Sequence, residues 1–240
     1  MNRLVNTSIF KSSFIFLFLE FGFVSFSCAQ SGDDAQFWMY FKLEKKVYKN
    51  LSIALSQQTR ITQNFSTLSY GFIDVGPRYK LNKYFHFGAS YVYGINDDFY
   101  RKNYSRKMLS NRHQYYGYVS IHYSYRRWEI INRCMIQGQV KDIYTSDNGF
   151  IPDYYYRNKT TVEYEITKKI IPYFSTDIYY LINDNSQYGN QVNRVRYYLG
   201  VNYRLSKRSN IDLYYLIQKA YNSKFYEIEY VVGLNYNYKF

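Results

Sequence analysis

The stretch Ile228-Glu229-Tyr230-Val231-Val232-Gly233-Leu234-Asn235-Tyr236-Asn237-Tyr238-Lys239-Phe240 decides the fold. Ile228, Tyr230, Val232, Leu234, Tyr236, Tyr238 and Phe240 occupy alternate positions, and all of them are apolar or aromatic. Side chains of a strand point alternately to opposite faces, so this pattern is a long strand with one wholly apolar side. The same unit recurs upstream from Gln36, as about 10–14 residues of alternating polarity followed by a turn. Val195, Tyr197, Leu199, Val201, Tyr203 and Leu205 alternate with Arg194, Arg196, Tyr198, Asn202 and Arg204. Phe85, Phe87, Ala89, Tyr91, Tyr93 and Ile95 alternate with His86, Gly88, Ser90 and Gly94, and Ile73, Val75, Tyr79 and Leu81 with Phe72, Asp74, Arg78 and Lys80. Strands of a soluble sandwich alternate too, but they run to about 5–6 residues. Length and repetition predict an all-β, antiparallel up-and-down transmembrane barrel of ten to twelve strands.

Composition agrees. The 240 residues include 33 Tyr and 18 Phe against 3 Pro and 2 Cys. A soluble core could not absorb so many tyrosines, because each buried hydroxyl needs a partner. A lipid-facing surface with aromatic girdles can. After residue 27 no apolar run approaches the roughly 20 residues of a spanning helix. The N-terminus reads as a secretory signal over residues 1–29: Arg3 and Lys11 are basic, Phe14 to Phe26 is apolar, and Ser27-Cys28-Ala29 offers small residues for cleavage before Gln30. Residues 30–240 then form the barrel. Cys28 as a lipidated first residue is the alternative, against which stands the absence of an aliphatic residue three places earlier. Cleavage removes Arg3, Lys11 and Glu20, takes the formal charge from +13 to +12, and leaves Cys134 as the single thiol. The cations are scattered and the chain is exported, so nucleic acid is not an expected partner.

Two kinds of link alternate. Short basic turns fall at Lys45 to Lys49, Leu81 to Lys83, Arg126-Arg127, Lys168-Lys169 and Ser206 to Arg208. Longer polar loops fall at Asn96 to Asn111, Tyr144 to Asp153, Asn183 to Gln191 and Ala220 to Tyr226, with Asn64 to Thr67 in the same set by parity. Barrels of the outer membrane keep short turns in the periplasm and longer loops outside. Ten strands are expected from Leu51 to Phe240, with another from Gln36 to Glu44. The resulting odd number leaves three options: an irregular closing strand over Ala35 to Leu43, a twelfth strand near the N-terminus, or a first segment inside the lumen.

The closing strand, with Tyr236, Tyr238 and Phe240 at its end, resembles the C-terminal signal read by the barrel-assembly machinery of Gram-negative bacteria. The chain as a whole resembles a family of outer-membrane barrels catalogued as a domain of unknown function. That resemblance is carried by Gln36-Phe37-Trp38, Leu43-Glu44-Lys45-Lys46, Val75-Gly76-Pro77-Arg78-Tyr79-Lys80-Leu81-Asn82-Lys83 and the closing strand. It implies fold and compartment, and no activity.

With the strands in this register the lumen candidates are Arg60, Asp74, Arg78, Glu129, Arg133, Arg157, Lys159, Glu163, Glu165, Asp177, Arg194, Arg196, Asp212, Glu227 and Glu229. They describe either a polar conduit or charges paired across neighbouring strands that fill the interior. Tyr116, Tyr118, Tyr155, Tyr179, Tyr198 and Tyr214 add inward bulk. Barrels near eight strands are filled and those near sixteen are open, and ten to twelve strands favour the filled or narrow case. No catalytic residue is assigned: His122 and Ser124 sit two apart, but at the periplasmic end. The three histidines and a single mature cysteine do not make a metal site, and no cofactor is expected. Asn183-Asp184-Asn185-Ser186 reads as a turn rather than a Ca²⁺ loop. Arg101, Lys102, Arg106 and Lys107 are candidates for contact with lipopolysaccharide phosphates, since guanidinium matches phosphate geometry. Trp38 and Trp128 are expected to be interfacial anchors. Three functions follow in order: a structural or interaction barrel with a filled polar lumen, a narrow channel or small-ligand or lipid carrier, and a lipid-modifying enzyme. The expected partners are outer-membrane lipids, lipopolysaccharide and the assembly machinery.

Overall fold

The computed structural model describes residues 33–97, 109–141, 152–183, 191–221 and 228–240. Eleven strands close into a barrel: β1 Asp34–Tyr48, β2 Leu51–Thr62, β3 Thr67–Lys80, β4 Phe85–Asp97, β5 Leu109–Tyr125, β6 Trp128–Lys141, β7 Asp153–Tyr164, β8 Ile170–Leu181, β9 Gln191–Arg204, β10 Ser209–Ala220 and β11 Ile228–Lys239. Each pairs with its sequence neighbour in antiparallel register. The expected signal at residues 1–29 and Cys28 lie outside the described residues.

The odd strand number has a simple resolution. In an up-and-down chain of eleven strands the first and last run the same way, so only a parallel ladder can close the sheet. β1 and β11 form that ladder, from Asp34 opposite Glu229 to Glu44 opposite Lys239. The segment expected over Gln36 to Glu44 is therefore a full strand, and the purely antiparallel expectation is corrected at this one seam. Both ends of the seam are pinned. Asn64 accepts from the Ala35 amide (3.2 Å) and donates its own amide to Asp34 (2.9 Å) at one end, and the Phe240 amide donates to the Glu44 carbonyl (2.9 Å) at the other.

Strands run further than the alternation alone indicates. β1 extends to Tyr48, so the first turn is Lys49-Asn50, with Lys49 at φ 34°. Arg126-Arg127 is the other two-residue turn, with Arg126 at φ 55°. β4 continues to Asp97 and β5 begins at Leu109, which shortens the expected loop between them.

The two faces differ as period-two alternation requires. Leu199 and Leu213 are 58% and 55% exposed on the outside, whereas Leu216 and Val231 are fully covered inside. Near the turn end the outer face carries Tyr79, Tyr123, Tyr125, Trp128 and Tyr203; near the loop end it carries Tyr93, Tyr154, Tyr156 and Tyr180. Aliphatic side chains such as Leu55, Val75, Ile178 and Leu199 lie between the two aromatic bands. Trp128 fits this pattern, half-exposed and packed 4.7 Å from Tyr164.

Inside, an apolar cluster of Trp38, Tyr198, Tyr214, Leu216 and Val231 spans β1, β9, β10 and β11. It backs the seam. Gly233 of β11 lies opposite both Trp38 and Tyr214, and the Tyr214 ring lies over its α-carbon. A side chain there would occupy the space of that ring, so glycine is required by close approach. The arrangement repeats across neighbouring strands, with Tyr118 over Gly88 and Tyr173 over Gly200. Each of these rings fills the space beside a glycine of the neighbouring strand.

Candidate functional site

Two adjoining spaces occupy the barrel interior. The larger, about 500 Å³, is lined on the loop side by side chains from all eleven strands. The smaller, about 220 Å³, extends toward the turn end as far as Glu163, the penultimate residue of β7. Arg133, Lys159, Tyr173 and Asp212 line both. These four, from β6, β7, β8 and β10, make a waist between the two chambers. Tyr173 donates to Asp212 Oδ2 (3.2 Å), as does Asn235 Nδ2 (2.7 Å), which fixes the carboxylate against the wall.

The larger chamber is strongly cationic. Arg60, Arg112, Arg133, Arg157, Lys159, Arg194 and Arg196 line it against Asp74, Asp177 and Asp212, seven positive groups to three negative, a surplus of four. Each carboxylate is already engaged: Asp74 by the Tyr116 hydroxyl (2.6 Å), Asp212 as above, and Asp177 by Arg157 Nη2 (2.7 Å). Asp177 is 1% exposed and stands across from Lys159 on one neighbouring strand and Arg196 on the other.

Most of the cations lean on aromatic rings rather than on acids. The Arg60 guanidinium lies 3.8 Å from the Trp38 ring centre and 4.8 Å from that of Tyr70. Arg157 lies 4.0 Å above Tyr179, Arg133 4.5 Å above Tyr118, and the Lys159 ammonium 4.3 Å above Tyr198. Ring faces attract cations through their quadrupole without neutralising them. Neutral donors and acceptors complete the wall. Arg60 donates to Gln58 (2.8 Å), Arg196 to Gln218 (2.5 Å) and to the Tyr179 hydroxyl (2.6 Å), and Arg133 to Ser120 (2.9 Å).

Of the lumen candidates read from the sequence, Arg60, Asp74, Arg133, Arg157, Lys159, Asp177, Arg194, Arg196 and Asp212 line the larger chamber, and Glu163 the smaller. Arg78 points inward and donates to Tyr118 (3.3 Å), outside the chamber lining. Glu229 lies on β11 across from Asp34 and Gln218. Glu129 Oε1 accepts from His122 Nδ1 (3.0 Å), and the His122 ring packs 4.1 Å from His86 near the turn end. No hydrogen bond links Ser124 to His122 among the described residues. Glu165 departs from expectation. It follows the last residue of β7 and pairs with Arg204 (3.3 Å) at the turn-end rim, because the alternation was extended past the strand. Glu227, Arg101, Lys102, Arg106 and Lys107 lie outside the described residues. Asn183 accepts from the Tyr154 amide and donates to the Pro152 carbonyl, both at 2.8 Å, and so ties off the β7–β8 end. Tyr236, Tyr238 and Phe240 face outward, Tyr236 stacked on Phe41 across the seam (5.5 Å) and Tyr238 against Phe240 (5.0 Å).

Trp38 is the principal correction. It is 2% exposed, faces inward, and donates its indole N–H to Gln36 (2.7 Å) while carrying Arg60 on its face. Its parity with Gln36 and Tyr40 in β1 places it on the polar side, a signal that was present in the sequence. Arg112, Tyr70 and Tyr173 were also missed. Tyr173 was detectable in principle from the glycine that a flat ring needs on the facing strand, once the register is known.

No curated protein matches the sequence. Among solved structures, a NanC porin is 13% identical with a TM-score of 0.52, over 86% of this chain and 99% of that one. The translocator domain of the autotransporter NalP from Neisseria meningitidis is 11% identical with a TM-score of 0.49, over 90% and 92%. The likeness to the porin is one of fold. A family model described as a protein of unknown function, DUF2490, matches residues 35–229, most of the chain, and the protein belongs to that family.

Proposed function

We propose that this chain is an outer-membrane barrel whose narrow polar lumen passes or holds small hydrophilic solutes. The observation that carries the reading is the pair of adjoining chambers joined at the Arg133–Lys159–Tyr173–Asp212 waist. Membrane residence is supported by the outer face: apolar side chains left 40–60% exposed on strand after strand, such as Phe41, Leu55, Ile73 and Leu199, are tolerated in lipid and not in water. The dimensions agree. The shortest strands have 12 residues, about 40 Å along the strand at 3.3 Å per residue. Tilted by about 40° they span roughly 30 Å, the thickness of the hydrocarbon layer.

Single-channel recording in a planar bilayer tests the conduit. The expected result is small discrete conductance steps; a folded barrel that inserts and gives none refutes it. A structural barrel with a filled lumen is the second reading. It draws support from the apolar seam cluster and the tyrosines laid on glycine, which occupy much of the interior.

A further inference from the structure

Four guanidiniums crowd around two aromatic rings in the larger chamber. Arg60 and Arg196 lie 3.8 and 5.2 Å from the Trp38 ring centre. Arg157, Arg196 and Arg194 lie 4.0, 5.0 and 5.5 Å from that of Tyr179. Asp177 pairs directly with one of the four, Arg157. Glu229 on β11 acts at longer range on Arg60, Arg194 and Arg196, as Asp177 also does on Arg196. None of those three is within ion-pair distance of a carboxylate among the described residues. The remaining three face a cavity of about 500 Å³, within the range of small-ligand sites, about 300–1,000 Å³.

Like charges gathered this closely repel, and in a narrow space walled by protein they are screened less than on a surface. The wall supplies ring faces and amides, which orient guanidiniums but add no negative charge. Guanidinium offers a fork of parallel N–H donors that fits the two oxygens of a carboxylate or phosphate. The rings hold those forks in place and lower the entropy lost on engaging a ligand.

We infer that the chamber around Trp38 and Tyr179 is a binding site for small hydrophilic oxyanions, carrying carboxylate or phosphate groups, held by Arg60, Arg194 and Arg196. This rests on the reading of the lumen as solute-accessible and names the class of solute.

The test is binding at equilibrium, which does not depend on conduction. The folded, detergent-solubilised barrel is titrated calorimetrically with sodium phosphate and, separately, sodium citrate at constant ionic strength. Saturable binding is expected, tighter for citrate because it engages more than one fork. Arg194→Gln should weaken it by about tenfold, the usual worth of one charge-assisted contact. Arg60→Lys, which keeps the charge and loses the fork, should weaken it less than Arg60→Gln, and a heat-dependent gel shift verifies that each variant is folded. Absence of saturable binding to both probes overturns the inference, as does binding unchanged in folded Arg194→Gln and Arg60→Gln. Conductance steps without oxyanion binding would spare the conduit and refute the site; binding without steps would do the reverse. Where steps occur, a KCl gradient should give a reversal potential favouring chloride, since a potential of about one kT favours anions over cations by roughly sevenfold.

Discussion

Replacing Asp177 with Asn should loosen the barrel while making its lumen more attractive to anions. The carboxylate is 1% exposed, accepts from Arg157 Nη2 at 2.7 Å, and stands between Lys159 and Arg196 on the flanking strands. It joins β7, β8 and β9 through one charge. The isosteric amide keeps the volume and removes the compensation, leaving three cations facing each other. Breaking a fully dry ion pair by removing one partner costs about 3–5 kcal/mol. This pair borders a polar chamber, so roughly 3 kcal/mol, the low end, is expected. Arg204–Glu165 is the internal control: both side chains are more than 40% exposed, and Glu165→Gln should cost less than about 1 kcal/mol. Urea unfolding in lipid vesicles, followed by tryptophan fluorescence and by the gel shift, gives both numbers. Equal losses for the two variants would refute the argument that Asp177 is the electrostatic brace of the interior. The second effect has the opposite sign: the charge surplus of the chamber rises from four to five, so phosphate binding should tighten in the less stable protein. A defect in packing alone would not improve binding.

Two further outcomes follow from the geometry. Gly200→Ala sets a methyl 2.6 Å from Tyr173 Cζ; the ring must swing into the waist, at about 1–3 kcal/mol of overpacking, with lower conductance and weakened contact to Asp212. A stable variant with parental conductance would show that the waist is not where the path narrows. The parallel seam predicts that cysteines placed at Phe37 and Val232, which are direct partners, form a disulfide on mild oxidation, whereas cysteines at Phe37 and Leu234 do so poorly. Reversed efficiencies would mean a different closure.

Much of the barrel was legible because its signal is local. Alternation over ten or more residues depends on the pleat and on having lipid-compatible groups on one side, and both are written into consecutive positions. The inward direction of Arg60, Asp74, Arg157, Asp177 and Arg196 follows from the same period. The local rule reaches only as far as the strand that carries it. Residue type points Trp38 to the membrane interface, whereas its parity with Gln36 turns it inward; for Glu165 the parity of β7 ceases to hold beyond Tyr164.

Consecutive residues thus carry the number of strands to within one, their two faces, and a lumen rich in cations. Closure of the sheet alone sets how β1 meets β11, two segments nearly two hundred residues apart, and which interior side chains become neighbours. Trp38 lies beside Arg60 because β1 pairs with β2, and it meets Arg196 only through the lumen. The reason is geometric: pleating is a property of each strand, whereas the distance between groups facing each other across a barrel is set by closure and register, which involve every strand at once.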